Sequence, residues 1–290
     1  MEGTIVKGIA GFYYVKNNAQ VYQCKARGLF KKQGVTPAVG DQVYFEPGSG
    51  EDDNGLILEI RERKNHFIRP PVANVDCFAI VMAAAEPAPS LAVADKFLVM
   101  AERSRTDIVF CINKTDLASG QTVEKMKAIY SPIYPLVCLS GATGQGIAEL
   151  KHLIEGKHAA LAGPSGVGKS TLLNCLIPEA DAETGCISRK SKRGKHTTRH
   201  CELFDLGCNT MLFDTPGFSS FDVLEAGEEE LQYLYPEMEP FIGGCKYHDC
   251  RHLKEPGCAV RNAVEMGFVA PERYASYRGQ LQEIRDSNKY

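Results

Sequence analysis

The segment Gly163-Pro164-Ser165-Gly166-Val167-Gly168-Lys169-Ser170 constrains this chain more than any other part of it. It fits G-x-x-x-x-G-K-[ST], with the apolar run HAALA before it and STLLNCLI after it, so it reads as strand, glycine-rich turn and helix in succession. The glycines let backbone N–H groups wrap a polyphosphate. Lys169 reaches the β and γ oxygens, and the Ser170 hydroxyl binds Mg²⁺ at the start of the helix, with Thr171 beside it among the nucleotide-binding residues. The sequence predicts a protein that binds a nucleoside triphosphate.

The surroundings of this loop suit an α/β domain. After Arg69-Pro70-Pro71, strand-like runs (VDCFAIVMAA, TDIVFCIN, YPLVCLS, HAALAG, CELFDL, TMLFDT) alternate with helix-like ones (90–104, 123–130, 147–155, 169–176) as far as about Asp222. That alternation predicts a mainly parallel sheet with helices on both faces. From Gly3 to about Ile60 the pattern is different. There the pieces TIVKGIAGFYYV, AQVYQCKARG, DQVYFEP and GLILEI, separated by turns such as Lys16-Asn17-Asn18, predict four or five strands in a small barrel of the OB type. Beyond Asp222 the strand signal disappears, and a helix is predicted over 271–286. The expected organisation is multi-domain: an all-β OB-fold barrel over 1–68, an α/β P-loop domain over 69–224, and a mainly α domain over 225–290.

A chain of 290 residues with 44% hydrophobic and 24% charged residues is neither disordered nor fibrous. Its longest apolar run, Cys77 to Ala85, ends at Glu86, well short of the ~18 residues that span a bilayer. The start MEGTIVKGIAGFYYV lacks the basic and apolar regions of a signal peptide, so a cytoplasmic protein without a membrane partner is expected. In a reducing compartment the eleven cysteines are expected as thiols or metal ligands. The net charge of −3 excludes attraction to nucleic acid by bulk charge, leaving that role to a local patch.

Further motifs narrow the nucleotide. Asp214-Thr215-Pro216-Gly217 follows the short apolar strand TMLFD; Asp214 is expected near the magnesium and the Gly217 N–H at a γ-phosphate. Asn113-Lys114-Thr115-Asp116 ends another strand. There the Asp116 carboxylate can accept two N–H donors from guanine while Lys114 covers the ring, and adenine offers no such donor pair. The loop Leu139-Ser140-Gly141-Ala142-Thr143-Gly144, with Ser140 as its named contact, is a second base-contacting candidate through backbone amides. GTP is the expected nucleotide, and ATP is not. In ordinary small GTPases the phosphate loop comes first and N-K-x-D last; here N-K-T-D precedes the phosphate loop, so the set is circularly permuted.

Six basic residues fall between Arg189 and Arg199 with no acid among them, as expected of a switch loop that also touches RNA phosphates. Thr197 and Thr198 are both candidates to complete the Mg²⁺ shell. Phe218 stands where many GTPases place the glutamine that orients the attacking water, and a phenyl ring cannot do that. His196 is the nearest polar candidate for the catalytic role and His200 its weaker rival. Near the C-terminus, Cys245-x4-Cys250-x-His252-x5-Cys258 supplies four ligands suited to one closed, structural, tetrahedral Zn²⁺ per chain, with His248 an alternative to His252 on composition.

Taken together, the barrel pattern, RPPVANVD (69–76), NKTD, GPSGVGKS, GKHTTR (194–199), DTPGF and the Cys/His cluster resemble, over essentially the whole length, a family of circularly permuted bacterial GTPases. This is the ribosome small subunit-dependent GTPase A family, the YjeQ/YloQ group. The resemblance implies an OB-fold domain with RNA as its expected ligand, a permuted GTPase domain and a zinc domain. It also favours Thr198 as the magnesium ligand and His252 as the zinc ligand. The chain departs from the family at Gly141, where Ala is usual after Ser, and backbone contacts are expected to survive. The implied function is late maturation of the small (30S) ribosomal subunit, with the subunit stimulating GTP hydrolysis to GDP. The implied partners are that subunit and its 16S rRNA, with the protein itself a monomer. An RNA-binding module that uses GTP mainly as a conformational ligand is the alternative.

Overall fold

The fold is that of a computed structural model, which describes residues 1–32, 34–48, 54–68, 70–177, 201–215 and 226–287, apart from the Lys31 side chain. Two compact units emerge. One comprises Met1–Phe78, Lys151–Leu161 and Ser170–Ser219; the other comprises Ala79–Leu150, Ala162–Lys169 and Ser220–Tyr290.

In the first unit, strands β1 (Glu2–Ile9), β2 (Phe12–Asn17), β3 (Gln20–Ala26), β4 (Gln42–Glu46) and β5 (Gly55–Ile60) form a barrel. Helix α1 (Gly28–Lys32) lies between β3 and β4 in the chain. The strand order is β1-β2-β3-β5-β4, and β4 pairs back onto β1, which closes the barrel. Inward positions alternate with outward ones, and Ile5, Val15, Cys24, Val43, Phe45 and Ile57 fill the interior with no exposed surface. The run TIVKGIAGFYYV, expected as one piece, is two strands. The chain reverses at Ala10-Gly11, where both residues have positive φ (50° and 84°) as a two-residue hairpin turn requires. Gly11 is a turn former but Ala10 is not, so only half of the turn is marked by residue type.

The chain leaves the barrel through buried polar clasps. Arg63 donates through Nε (2.7 Å) and Nη2 (2.8 Å) to the two carboxylate oxygens of the fully buried Asp41. Asn74 accepts from the Lys64 amide (2.9 Å) and donates to the Gly40 carbonyl (2.9 Å). The short strands β6 (His66–Phe67) and β7 (Val72–Ala73) pair within this linker.

The same unit contains the end of the α/β pattern. Strands β11 (His158–Ala162) and β13 (Thr210–Asp214) run parallel, while β12 (Glu202–Gly207) pairs antiparallel with β13 and, at Lys7↔Glu202, with β1 of the barrel. Ion pairs Lys7–Glu202 (3.3 Å) and Lys16–Asp205 flank that junction. The mainly parallel sheet expected from the sequence is therefore interrupted by β12. It is joined to β13 through Cys208-Asn209, a two-residue turn with φ of 50° and 56°. Helix α5 (Lys169–Leu176) follows the phosphate loop.

In the second unit, β8 (Cys77–Ala83), β9 (Asp107–Asn113) and β10 (Leu136–Cys138) lie side by side, β9 and β10 in parallel. They alternate with α2 (Leu91–Arg103), α3 (Gly120–Tyr130) and α4 (Ile147–Leu153), close to the expected ranges. After residue 226 the described chain is helical: a 3₁₀ turn (Leu231–Leu234), α6 (Glu239–Ile242), α7 (Ala259–Glu265) and α8 (Pro271–Ser287). Their core includes Leu231, Tyr235, Met238, Tyr277 and Leu281, and Val99 of α2 belongs to it. At its centre the fully buried Arg273 donates to Asp95 (2.7 Å) and, through Nε (2.6 Å) and Nη2 (3.1 Å), to Glu237. Its guanidinium stacks 4.5 Å above the Tyr235 ring. Among the described residues no helix is long and apolar enough to cross a membrane.

Candidate nucleotide and metal sites

The phosphate loop is built where a side chain would not fit. Gly163 has φ +148°, and a Cβ there would lie 2.1 Å from the Val81 carbonyl oxygen. Gly168 has φ +97°, and a Cβ there would lie 2.4 Å from Nδ2 of Asn113. Both need glycine, for backbone conformation and for close approach alike. Ser165 and Gly166 are exposed, Pro164 is half-buried and Val167 is buried, so the loop presents its polar rim outward on an apolar anchor. Lys169 folds its ammonium over the loop and donates to the carbonyls of Gly163 (2.6 Å) and Pro164 (2.8 Å). Burial lowers its pKa to about 8. Ser170 and Thr171 are exposed in the first turn of α5. Asp214 is half-buried at the end of β13, one step past the register pair Ala160↔Phe213 that aligns β13 with β11.

Asn113, at the end of β9, is 1% exposed and bridges two loops. Its amide nitrogen donates to the Val167 carbonyl of the phosphate loop (2.8 Å), and its oxygen accepts from the Gly141 amide of the 139–144 loop (3.2 Å). One buried side chain thus joins the phosphate loop to the 139–144 loop. Lys114 has a left-handed φ of 61° and donates to the Glu86 carbonyl. Thr115 ties the turn to Leu139 through its amide (3.2 Å) and hydroxyl (2.9 Å). Asp116 is exposed at the tip, where a ligand's N–H groups can reach its carboxylate.

The base-contacting loop is shaped from within. The Ser140 hydroxyl is buried and accepts from the Thr143 amide (3.2 Å), and the Ser140 carbonyl accepts from Gly144 (2.8 Å). The amides of Ser140, Gly141, Thr143 and Gly144 are thereby engaged; the exposed Ala142 amide has no protein partner among the described residues. Gly141, the departure from the family pattern, uses its backbone alone here.

Cys245, Cys250, His252 and Cys258 converge with all four ligand atoms within 4.8 Å of one another. His252 Nδ1 lies 3.5 Å from the sulfurs of Cys245 and Cys250 and 3.3 Å from that of Cys258, and the Cys245 and Cys258 sulfurs are 4.0 Å apart. With metal–sulfur bonds of about 2.3 Å and metal–nitrogen bonds of about 2.0 Å, a tetrahedron sets sulfurs about 3.8 Å apart and sulfur about 3.5 Å from nitrogen. The residues fit a tetrahedral ion. His248 is outside the group, so of the two histidines left open by composition it is His252 that is gathered in.

His196, Thr198 and Gly217 lie outside the described residues, as do Thr197, His200, Phe218 and the whole basic run 189–199. Sequence reasoning missed the bracing role of Asn113, the Arg273 hub, and Gln232, whose side chain meets His252 at 2.9 Å.

Comparison with known proteins agrees with this geometry. The family model described as RsgA GTPase matches residues 60–224, and that described as RsgA N-terminal domain matches residues 2–57. A protein of Alkaliphilus metalliredigens named small ribosomal subunit biogenesis GTPase RsgA is 42% identical over 290 residues, covering 100% of this chain and 99% of the relative. The crystal structure of YjeQ from Thermotoga maritima superposes with a TM-score of 0.84 at 34% identity, covering 98% of each chain. That of YloQ, described as a circularly permuted GTPase, gives a TM-score of 0.81 at 35% identity, covering 99% of this chain and 95% of the other.

Proposed function

The chain belongs to the RsgA family of GTPases, and from that premise we propose that it engages the small ribosomal subunit during late maturation and hydrolyses GTP there, faster on the subunit than alone. The observation that carries this reading is Asn113 joining the phosphate loop to the 139–144 loop with the Asp116 carboxylate exposed beside it, which supports a guanine nucleotide as the ligand. In this reading Gly163 to Gly168 and Lys169 hold the phosphates. Ser170 and Thr198 hold Mg²⁺, with Asp214 at its water shell and the Gly217 amide at the γ-phosphate. Asp116, Lys114 and the 139–144 loop hold guanine. His196 orients the attacking water, since Phe218 offers no polar group.

The proposed domains are 1–68, 69–224 and 225–290. The name of the relative, a small ribosomal subunit biogenesis GTPase, supports the 30S subunit as partner; contact with its 16S rRNA through the barrel and the basic run, a monomeric state and a cytoplasmic location complete the proposal. The Cys245/Cys250/His252/Cys258 group would hold one structural Zn²⁺, supplying a rigid crosslink and no open coordination position.

Loss of the γ-phosphate frees the Gly217 contact, so the GTP form is expected to bind 30S about 5–150-fold more tightly than the GDP form. Co-sedimentation with 30S in a non-hydrolysable GTP analogue and in GDP tests this. Equal binding in both nucleotides contradicts it.

A further inference from the structure

We propose that Gln232 is the positioning residue of the Cys245/Cys250/His252/Cys258 site, fixing the tautomer of His252 so that Nδ1 faces the metal. The inference rests on reading that cluster as a zinc site.

Gln232 sits on the 3₁₀ turn Leu231–Leu234 and is 6% exposed. Its amide nitrogen donates to the Glu229 carbonyl (3.1 Å), which assigns the amide orientation and leaves Oε1 as the end that faces His252. Oε1 lies 2.9 Å from Nε2 of His252. An amide oxygen can only accept, so Nε2 carries the hydrogen. The neutral ring then has its lone pair on Nδ1, the atom that lies 3.3–3.5 Å from all three sulfurs.

The rest of the ligand loop is held independently of Gln232. Tyr274 donates to the His252 carbonyl (2.5 Å) and Tyr277 to the Arg251 carbonyl (3.0 Å). The Glu255 carboxylate accepts from the amides of Arg251 (2.9 Å), Leu253 (2.7 Å) and Lys254 (2.8 Å). With the backbone so constrained, the protonation pattern of the ring is what remains to be set, and Gln232 is the group that contacts it. A carbonyl on the far nitrogen of a ligating histidine also raises its basicity, and loss of such a partner costs about 10–100-fold in metal affinity.

The test compares zinc binding by the full-length chain, Gln232→Leu and Gln232→Glu in competition with a chromophoric chelator, alongside ¹⁵N–¹H imidazole spectra of the zinc-loaded unsubstituted protein. Leucine fills the space without accepting; glutamate keeps the acceptor. The expected result is zinc bound about 10–100-fold more weakly by the leucine variant and with a smaller loss by the glutamate variant, which keeps the acceptor for Nε2 but loses the donor to the Glu229 carbonyl, with hydrogen on Nε2 and zinc on Nδ1 in the parent. Equal affinity in the leucine variant, or zinc on Nε2, overturns the inference. Zinc on Nε2 in the parent spectrum overturns it even if the variants fail to fold. A parent that binds no zinc overturns instead the reading of the cluster itself, a result distinct from zinc bound equally by parent and leucine variant.

Discussion

Asn113→Ala isolates the brace between the two nucleotide loops. The substitution removes the bonds to the Val167 carbonyl (2.8 Å) and from the Gly141 amide (3.2 Å) without adding bulk. Val167 is 1% exposed, so its carbonyl is left unsatisfied in the interior. Leaving a buried group unpaired costs about 1–3 kcal/mol and an ordinary lost hydrogen bond about 1 kcal/mol, so about 2–4 kcal/mol of loop organisation disappears. If nucleotide binding must restore that order, GDP affinity falls about 30- to 700-fold, at 1.4 kcal/mol per decade. Asn113→Asp should be no milder, because it keeps the acceptor for Gly141 but sets a carboxylate against the Val167 carbonyl. A fluorescent GDP analogue, titrated and then chased with unlabelled GDP, measures both affinity and dissociation. The preference for GTP over XTP should be unchanged in Asn113→Ala, since the side chain is spent on protein atoms, and should reverse in Asp116→Asn, whose amide inverts the pattern offered to the base. A GDP affinity within twofold of the parent, or a GTP/XTP preference altered by Asn113→Ala, refutes the bracing argument.

The remaining predictions concern charge and metal. Burial lowers Lys169 to about 8 in the free protein, and phosphate binding favours its protonated form. Nucleotide affinity should therefore be flat below about pH 7 and fall by up to about tenfold per unit above pH 8, and Lys169→Met should lose that slope; titrations between those limits check it. The same shift has the opposite sign for stability: between about 8 and the ordinary value of 10.5 the unfolded chain binds more protons at this site, so its contribution makes the free protein more stable as pH rises. Arg273→Leu leaves Asp95 and Glu237 without their buried cation and should cost about 3–5 kcal/mol by chemical denaturation, and a loss under 1 kcal/mol contradicts the hub. Cys250→Ser should lose zinc and helical structure after residue 226 together, read by metal analysis and circular dichroism; a full equivalent of zinc retained reassigns the cluster.

Local chemistry made much of this molecule legible. The phosphate loop, its strand and its helix follow from eight contiguous residues, and α5 spans the range its pattern suggests, Lys169–Leu176. The barrel could be read from turn residues, except at Ala10-Gly11, where alanine carries a positive φ that no propensity announces. The Cys/His spacing limits the candidate ligands to a short stretch, yet on composition the choice between His248 and His252 stays open until the fold gathers His252 in with the three cysteines. The groups that hold the sites in place were not legible, because each acts across a long separation. Arg273 meets Asp95 178 positions away, Asn113 meets Val167 54 positions away, and Gln232 meets His252 20 positions away. Each residue type is ordinary for an exposed helix or turn, and burial beside a distant partner is what gives it a role. The antiparallel β12 escaped for a different reason: CELFDL has the same apolar texture whichever way it pairs, and the tight turn to β13 puts a positive φ on Cys208, a residue type that does not announce it.

Single-turnover hydrolysis of GTP, with and without purified 30S subunits, tests the central claim most directly. Hydrolysis should be slow for the protein alone and markedly faster on the subunit. His196→Ala should lose most of that acceleration while still binding 30S more tightly with a GTP analogue than with GDP, because it removes a group used in the transition state and leaves the ground-state ligands in place. A rate unchanged by 30S, with GTP-dependent binding intact, would contradict the account and make GTP a conformational ligand of an RNA-binding module.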